Sequence, residues 1–237
     1  MGCSMSDPSF RIVELLFSGL TQLDFTGPHT VFSRLPNTEV VVASRDGGEI
    51  TSDGGLTFAG TRRLAEIDRC DLLFVPGGLA TLDVANDPAV MDEVRRLAAG
   101  ARYLVSVCTG SLILGAAGLL QGRRAACHWA WRDLLPLFGA EIDEGRIVRD
   151  GNIFTGGGVT AGIDLALAVA AELAGEDFAQ TIQLAIEYAP APPFNAGRPE
   201  TAPPQVLEQA KAGLATMADQ RWSQARKAAL AGGFSPA

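Results

Sequence analysis

Short, continuously apolar runs alternate with helix-patterned segments along most of this chain. Residues 10–17, 39–44, 70–75 and 103–107 are such runs, rich in Val, Leu, Ile and Phe. Strands this apolar need cover on both faces, which a parallel sheet flanked by helices provides. The pattern therefore predicts a doubly wound, mostly parallel α/β sheet. Helix patterns are expected over 24–35, with Pro28 near its first turn, and over 88–99, 109–117, 160–173 and 178–188. A β-rich excursion is expected over 50–61, a short strand over 124–127 and a short helix over 129–138. Residues 146–155 read as a hairpin with Asp150-Gly151 as its two-residue turn. Residues 189–199 read as an extended, partly polyproline loop, and 203–230 as one helical segment. This divides the chain into a frayed N-terminus over 1–9, an α/β domain over 10–200 and a helical extension over 201–237. The extension is expected to pack on the domain or on a partner subunit.

Composition narrows the function classes. The chain has 237 residues, ample for one large core, and 47% of them are hydrophobic. A formal net charge of −8 gives a nucleic acid no electrostatic footprint. No window approaches the run of about 18 apolar residues that a membrane helix needs, and no basic-then-apolar leader opens the chain. Four cysteines (Cys3, Cys70, Cys108 and Cys127) fall at irregular spacing, as in reduced thiols of a cytoplasmic protein. With two histidines and no Cys-x-x-Cys or His-x-x-x-His pair, no metal site is expected. Met1-Gly2-Cys3-Ser4-Met5-Ser6 fits a lipidation pattern, but such short motifs match often by chance.

The chemistry concentrates at Cys108. The run 103–107 stops at this cysteine, a Thr109-Gly110-Ser111 turn follows, and a helix pattern begins. A thiol beside the first free N–H groups of a helix is set to ionise, with a pKa lowered from about 8.5 to about 3.5–7.5. Cys70 and Cys127 lie in strand patterns and read as core. Active sites of parallel sheets lie at the carboxyl ends of strands. Three segments end there: the loop before Asp24, Pro76-Gly77-Gly78, and Cys108. Asp24, between two apolar residues, reads either as a partly buried acid sharing a proton with the thiol or as the N-cap of the first helix. The two roles are compatible. Gly77 and Gly78 offer backbone N–H groups that, with the N–H of Thr109, suit a developing negative charge. His128 and His29 read as hydrogen-bonded structural histidines.

Three stretches carry a resemblance: Ser106-Val-Cys-Thr-Gly-Ser-Leu-Ile-Leu-Gly-Ala-Ala-Gly-Leu-Leu-Gln-Gly122, His128-Trp129, and Gly156-Gly-Gly-Val-Thr-Ala-Gly-Ile-Asp164. They resemble the ThiJ/PfpI superfamily. Gln22-Leu-Asp-Phe-Thr-Gly-Pro28, Cys108-Thr109 and Glu187-Tyr-Ala-Pro-Ala-Pro-Pro-Phe-Asn-Ala-Gly197 resemble more narrowly its isocyanide-hydrating branch. The resemblance runs from about residue 12 to about residue 210. It implies a flavodoxin-like fold with the cysteine at a strained elbow, and a homodimer without cofactor. It also implies hydration of a small-molecule isocyanide by water to a formamide. It makes Cys108 the nucleophile and Asp24 its partner acid, and places Thr109 and Gly78 around substrate. Val159 falls where the family packs a branched aliphatic residue near the active-site helix. Threonine follows the cysteine here, where protease- and deglycase-like members place histidine, which argues against a Cys-His mechanism. Two alternatives remain. One is a ligand-sensing domain like those of AraC-type regulators, although residues 208–230 read as one amphipathic helix and not as a helix-turn-helix. The other is an enzyme acting on glyoxals or glycated groups.

Overall fold

Strand β1 (Phe10–Leu16) forms because five of its seven residues can be fully buried, and it pairs in parallel with β2 (Thr38–Ser44) on one side. On its other side lies β5 (Leu72–Val75), also parallel, followed by β6 (Tyr103–Val107) and β10 (Ile153–Gly156). The parallel core thus runs β2-β1-β5-β6-β10, the flavodoxin-like order in which the first strand sits between the second and third. This computed structural model describes residues 10–235; the lipidation-like motif at Met1 to Ser6 lies outside the described residues.

The sheet is extended at both edges. The 50–61 excursion is a hairpin of β3 (Gly48–Thr51) and β4 (Thr57–Arg63), and β4 continues the sheet beside β2. At the other edge β9 (Ile147–Asp150) pairs antiparallel with β10. Ile153 pairs with Asp150, so the two turn residues are Gly151 and Asn152 and not Asp150-Gly151. Gly151 takes φ +64° at the first turn position, where a side chain would be strained. The expected strand over 124–127 is only β7 (Arg124–Ala125), which pairs with β8 (Glu141–Ile142) in a separate two-stranded sheet.

Side chains of each central strand alternate between two cores. Leu73 and Val75 of β5 face one core, and Leu72 and Phe74 the other. The first core is closed by α3 (Pro88–Gly100), α4 (Gly110–Ala116) and a 3₁₀ segment Arg132–Phe138. The second is closed by α5 (Ala161–Ala174), α6 (Glu176–Ala185) and the end of α1 (Gln22–Phe32). Helix α1 starts two residues earlier than the sequence pattern suggests, so Pro28 lies inside it and removes one helical hydrogen bond. Its ring packs where a Cβ on Gly162 would fall, 2.9 Å from Pro28 Cγ, which lets α1 and α5 approach closely.

A short helix that sequence reading missed, α2 (Thr81–Ala85), follows the Gly77-Gly78 turn. The C-terminal helix α7 (Pro204–Ala231) lies on it and on the 3₁₀ segment. Ala225, Ala228 and Ala229 are buried, Gln224 Nε2 donates to Asp83 Oδ1 at 2.7 Å, and Asn86 Nδ2 donates to the Gln224 carbonyl at 3.0 Å.

Candidate active site

The carboxyl ends of β1, β5 and β6 meet at one point. Residue 108 follows β6 directly and has φ +57°, a left-handed conformation rare outside glycine. Its N–H is shared between the carbonyls of Gly156 and Gly157, at 3.1 and 2.7 Å, which fixes this strained corner from the neighbouring strand. The corner aims the thiol away from the sheet and toward α1, and Cys108 is only 5% exposed.

Asp24 comes to the thiol from α1. It stands in the first helical turn and not at the N-cap, which is Thr21. The carboxyl is fully buried, and its Oδ2 accepts the N–H of Gly77 at 3.0 Å. Oδ1 is buried without a hydrogen-bond partner, and the Cys108 thiol is the other group that bonds the carboxyl. Burial raises the Asp24 pKa from the ordinary carboxylate range to about 7; the bonds from Cys108 and Gly77 only partly oppose it. The same burial, with the Asp24 charge added, holds the Cys108 thiol well above a free thiol, against the lowering by the Thr109 N–H. This reverses the expectation of a thiol ionised by its helix. Desolvation of a nearly closed site outweighs one short helix turn. The two groups titrate as a pair that shares protons.

Thr109 and Gly78 are bonded to each other beside this pair. The N–H of Gly78 donates to Thr109 Oγ1 at 3.0 Å, so it fixes the hydroxyl and does not stand free as a donor in the backbone pocket. Thr109 Oγ1 is also 2.7 Å from Thr81 Oγ1, which in turn donates to the Gly78 carbonyl at 2.8 Å. Thr81 was not legible as a site residue, because its helix α2 is a single turn without a periodic signal. Gly77 is required by proximity. A Cβ there would lie 2.6 Å from the Thr109 nitrogen, 2.7 Å from its Oγ1 and 2.9 Å from Asp24 Oδ2. Gly77→Ala is expected to cost about 1–3 kcal/mol of stability by overpacking. Displacing these groups by about 1 Å should cut turnover roughly 100-fold. Thermal melts and steady-state rates on the same preparation check both numbers.

Val159 is half-buried in the core that contains Cys108, just ahead of α5. Beside the elbow, a cavity of about 240 Å³ is lined by Cys127, His128, Trp129, Gly158 and Val159, with Arg132 at its wall. His128 forms no pair with Cys108: its Nδ1 accepts the N–H of Ala130 at 3.3 Å. Burial and the positive charge of Arg221 hold its pKa below that of a free histidine. His29 is bound through Nδ1 to Glu14 at 2.6 Å, as a structural histidine would be. Cys70 and Cys127 are buried, and desolvation takes each thiol to about 12. Among the described residues no group of three or more His, Cys, Asp or Glu side chains could hold a metal ion.

The profile of the DJ-1/PfpI family matches residues 10–172. The chain belongs to that family. It is 50% identical over 203 residues to a protein named isonitrile hydratase from Pseudomonas putida, covering 86% of this chain and 89% of that protein. A crystal structure of a ThiJ/PfpI family protein from Pseudomonas syringae superposes with a TM-score of 0.88 at 38% identity, covering 97% of each chain. The transcriptional regulator CdhR of Pseudomonas aeruginosa is 34% identical over 142 residues, which are 58% of this chain but only 41% of the regulator.

Proposed function

We propose that this chain hydrates isocyanides, R–N≡C, to N-substituted formamides, with Cys108 as nucleophile and Asp24 as its acid and base. The observation that carries the reading is the buried carboxyl of Asp24 bonded to the elbow thiol, with a pKa near 7. The similarity to the Pseudomonas putida hydratase over most of both chains supports the choice of substrate.

The pair holds one proton, which rests on the Cys108 thiol, the more basic group, and passes to Asp24 as the sulfur attacks, giving a thiolate and a carboxylic acid. Sulfur attacks the terminal carbon of the isocyanide, and Asp24 delivers its proton to that carbon. The product is a thioimidate, R–N=CH–S–Cys108, beside an ionised Asp24. Asp24 then takes a proton from water as the oxygen adds to the same carbon, and passes that proton to nitrogen. The tetrahedral adduct R–NH–CH(OH)–S–Cys108 loses its hydroxyl proton to Asp24 while the C–S bond breaks. Formamide leaves, and thiolate and carboxylic acid are restored. Covalent attachment divides one difficult hydration into two additions. One carboxyl with a pKa near the working pH can serve as acid and base in turn.

Thr109 holds the sulfur through its N–H, and its hydroxyl is fixed by Gly78 and Thr81. Val159 supplies an apolar wall near the start of α5. The same reading includes a homodimer in the cytoplasm, and sedimentation at twice the 24.8 kDa of one chain checks the dimer. None of the described helices is long and apolar enough to cross a membrane.

Purified protein mixed with cyclohexyl isocyanide is expected to form cyclohexylformamide, read by chromatography. Absence of formamide, or faster conversion of methylglyoxal to lactate, would overturn the reading.

A further inference from the structure

The short helix α2 brings a hydroxyl, that of Thr81, to the site. Thr81 and Thr109 are both buried, so the protein itself must satisfy their hydroxyls. Thr81 Oγ1 lies 2.7 Å from Thr109 Oγ1 and 2.8 Å from the Gly78 carbonyl. The Gly78 N–H donates to Thr109 Oγ1 at 3.0 Å, and Thr109 Oγ1 lies 3.4 Å from the same carbonyl. Each hydroxyl has one hydrogen to give and two lone pairs. The hydrogens fit these contacts in two ways. In one, Thr81 donates to Thr109, which donates to the carbonyl across the 3.4 Å contact and has both lone pairs filled. In the other, Thr109 donates to Thr81 and Thr81 to the carbonyl, through contacts of 2.7 and 2.8 Å. Only the second uses two bonds of normal length. It commits the Thr109 hydrogen to Thr81 and leaves one lone pair of Thr109 open.

The carboxyl of Asp24 is a second open acceptor. Its Oδ2 takes the Gly77 N–H, while Oδ1 is buried without a hydrogen-bond partner. The two acceptors are close. The place a Cβ on Gly77 would take lies 2.7 Å from Thr109 Oγ1 and 2.9 Å from Asp24 Oδ2, so no more than two hydrogen-bond lengths separate those oxygens. Both adjoin Cys108, Asp24 through its bond to the thiol and Thr109 as the next residue. An isocyanide has no N–H or O–H to offer such acceptors. Water has two hydrogens on one oxygen.

We propose that Thr81 is a positioning residue for the second half of the reaction: it takes the Thr109 hydrogen, so that Thr109 and Asp24, as two acceptors, hold the water that attacks the thioimidate. The assignment rests on the proposed hydration through Cys108. One O–H bond of the water breaks as Asp24 takes its proton, and the oxygen forms the new C–O bond. The other hydrogen, held by Thr109, stays on oxygen as the hydroxyl of the tetrahedral adduct. Helix α7 keeps Thr81 in place. A single helical turn has little stability of its own, and Ala80 at its N-cap gives no side-chain bond. Arg221 Nη2 donates to the Leu79 carbonyl at 3.1 Å, and Asp83 and Asn86 both bond Gln224. The C-terminal helix thus grips the chain on either side of Thr81.

The test follows the covalent adduct. Protein in excess over cyclohexyl isocyanide is quenched at intervals, and the mass addition on the Cys108 peptide is read by mass spectrometry. Thr81→Val keeps the shape and loses the hydroxyl. It is expected to gain the addition at the wild-type rate and to lose it about tenfold more slowly, the worth of one hydrogen bond. Thr81→Ser should regain the wild-type decay to within about threefold, and Thr81→Val should add nothing in a Thr109→Val background. Alkylation of Cys108 by iodoacetamide at pH 8, which needs no isocyanide, should stay within about twofold of wild type, because the thiol is not the group served. Wild-type decay in the Val variant, formation slowed as much as decay, a Ser variant as slow as Val, or slower alkylation would each overturn the proposal. No addition and no formamide with wild type would overturn the hydration instead. A neutron map of the wild-type protein in D2O needs neither substrate nor variant. A Thr109 deuterium directed at Thr81 Oγ1 is expected, and one directed at the Gly78 carbonyl or into the site would overturn the proposal.

Discussion

Cys108→Ser is expected to lower kcat/KM for isocyanide hydration at least about 10³-fold, while the protein keeps its melting transition. Serine is close to cysteine in size and keeps a hydroxyl beside Asp24. It suits the same corner, because φ +57° is imposed by the backbone bonds to Gly156 and Gly157 and not by sulfur. What it loses is the nucleophile. An alcohol is ionised far less readily than a thiol, and Asp24, already raised to about 7 by burial, is too weak a base to compensate. Cys108→Ala should lose as much activity without the hydroxyl, so the two variants together separate nucleophile from shape. The same comparison reads the intermediate. Wild-type protein quenched during turnover should carry a mass addition equal to one isocyanide on the peptide containing Cys108, and neither variant should carry it. Wild-type rates in Cys108→Ser would remove the covalent step.

Much of this site was legible because it hangs on strand ends. The run 103–107 matched β6 to the residue, since a continuously apolar segment bounded by Cys-Thr-Gly has few other solutions. Convergence of Asp24, Pro76-Gly77-Gly78 and Cys108 then follows from parallel topology alone. What was illegible depends on tertiary placement. The pattern of residues 124–127 suits a strand, but its neighbours put it in a separate pair with β8, outside the main sheet. The Asp150-Gly151 pair looks like a turn, yet cross-strand register decides which two residues turn, and register depends on the partner β10. Helix α2 is too short for periodicity to show. Local sequence favoured an ionised thiol, whereas burial, a property of the whole fold, sets the opposite direction. Arg221 left only one trace, a cation four residues from both Met217 and Ala225 on the apolar stripe of α7. Sequence alone does not say that this cation turns inward, to the Leu79 carbonyl and the face of Trp131.

Asp24→Asn should move three observables in different directions, which makes it the most discriminating single change. Hydration should fall about 10²–10⁴-fold, the usual worth of a positioned acid–base group. The pH–rate profile should lose its inflection near 7, because the carboxyl that titrates at about 7 is gone. Alkylation of Cys108 should nevertheless become faster. The Asp24 charge and its bond to the thiol both raise the Cys108 pKa, so a neutral amide makes the thiolate easier to form. A hydration rate that falls while the thiolate becomes more available assigns the loss to proton transfer. A slower alkylation would show instead that Asp24 activates the thiol, and the acid role would fail.

Stability should rise. A carboxyl whose folded pKa stands near 7, against 3.8 in an unfolded chain, binds more protons native than unfolded between those values. Its stabilising contribution is complete below about pH 4 and is lost as pH climbs to about 7. The amount is on the order of 2–4 kcal/mol for one group shifted this far. The amide carries no such loss, and its carbonyl can accept the Gly77 N–H as Oδ2 does now. Glu14, also fully buried and raised by desolvation, gives the same slope in both proteins, while Asp68 and Asp150, lowered by arginine or backbone bonds, give the opposite slope at lower pH. These contributions cancel in the difference between variant and wild type. That difference in unfolding free energy, measured by urea at fixed temperature, should be near zero at pH 4 and grow steadily to pH 7. A flat difference would mean that Asp24 is ionised in the native protein throughout, and the single carboxyl could not then deliver the first proton.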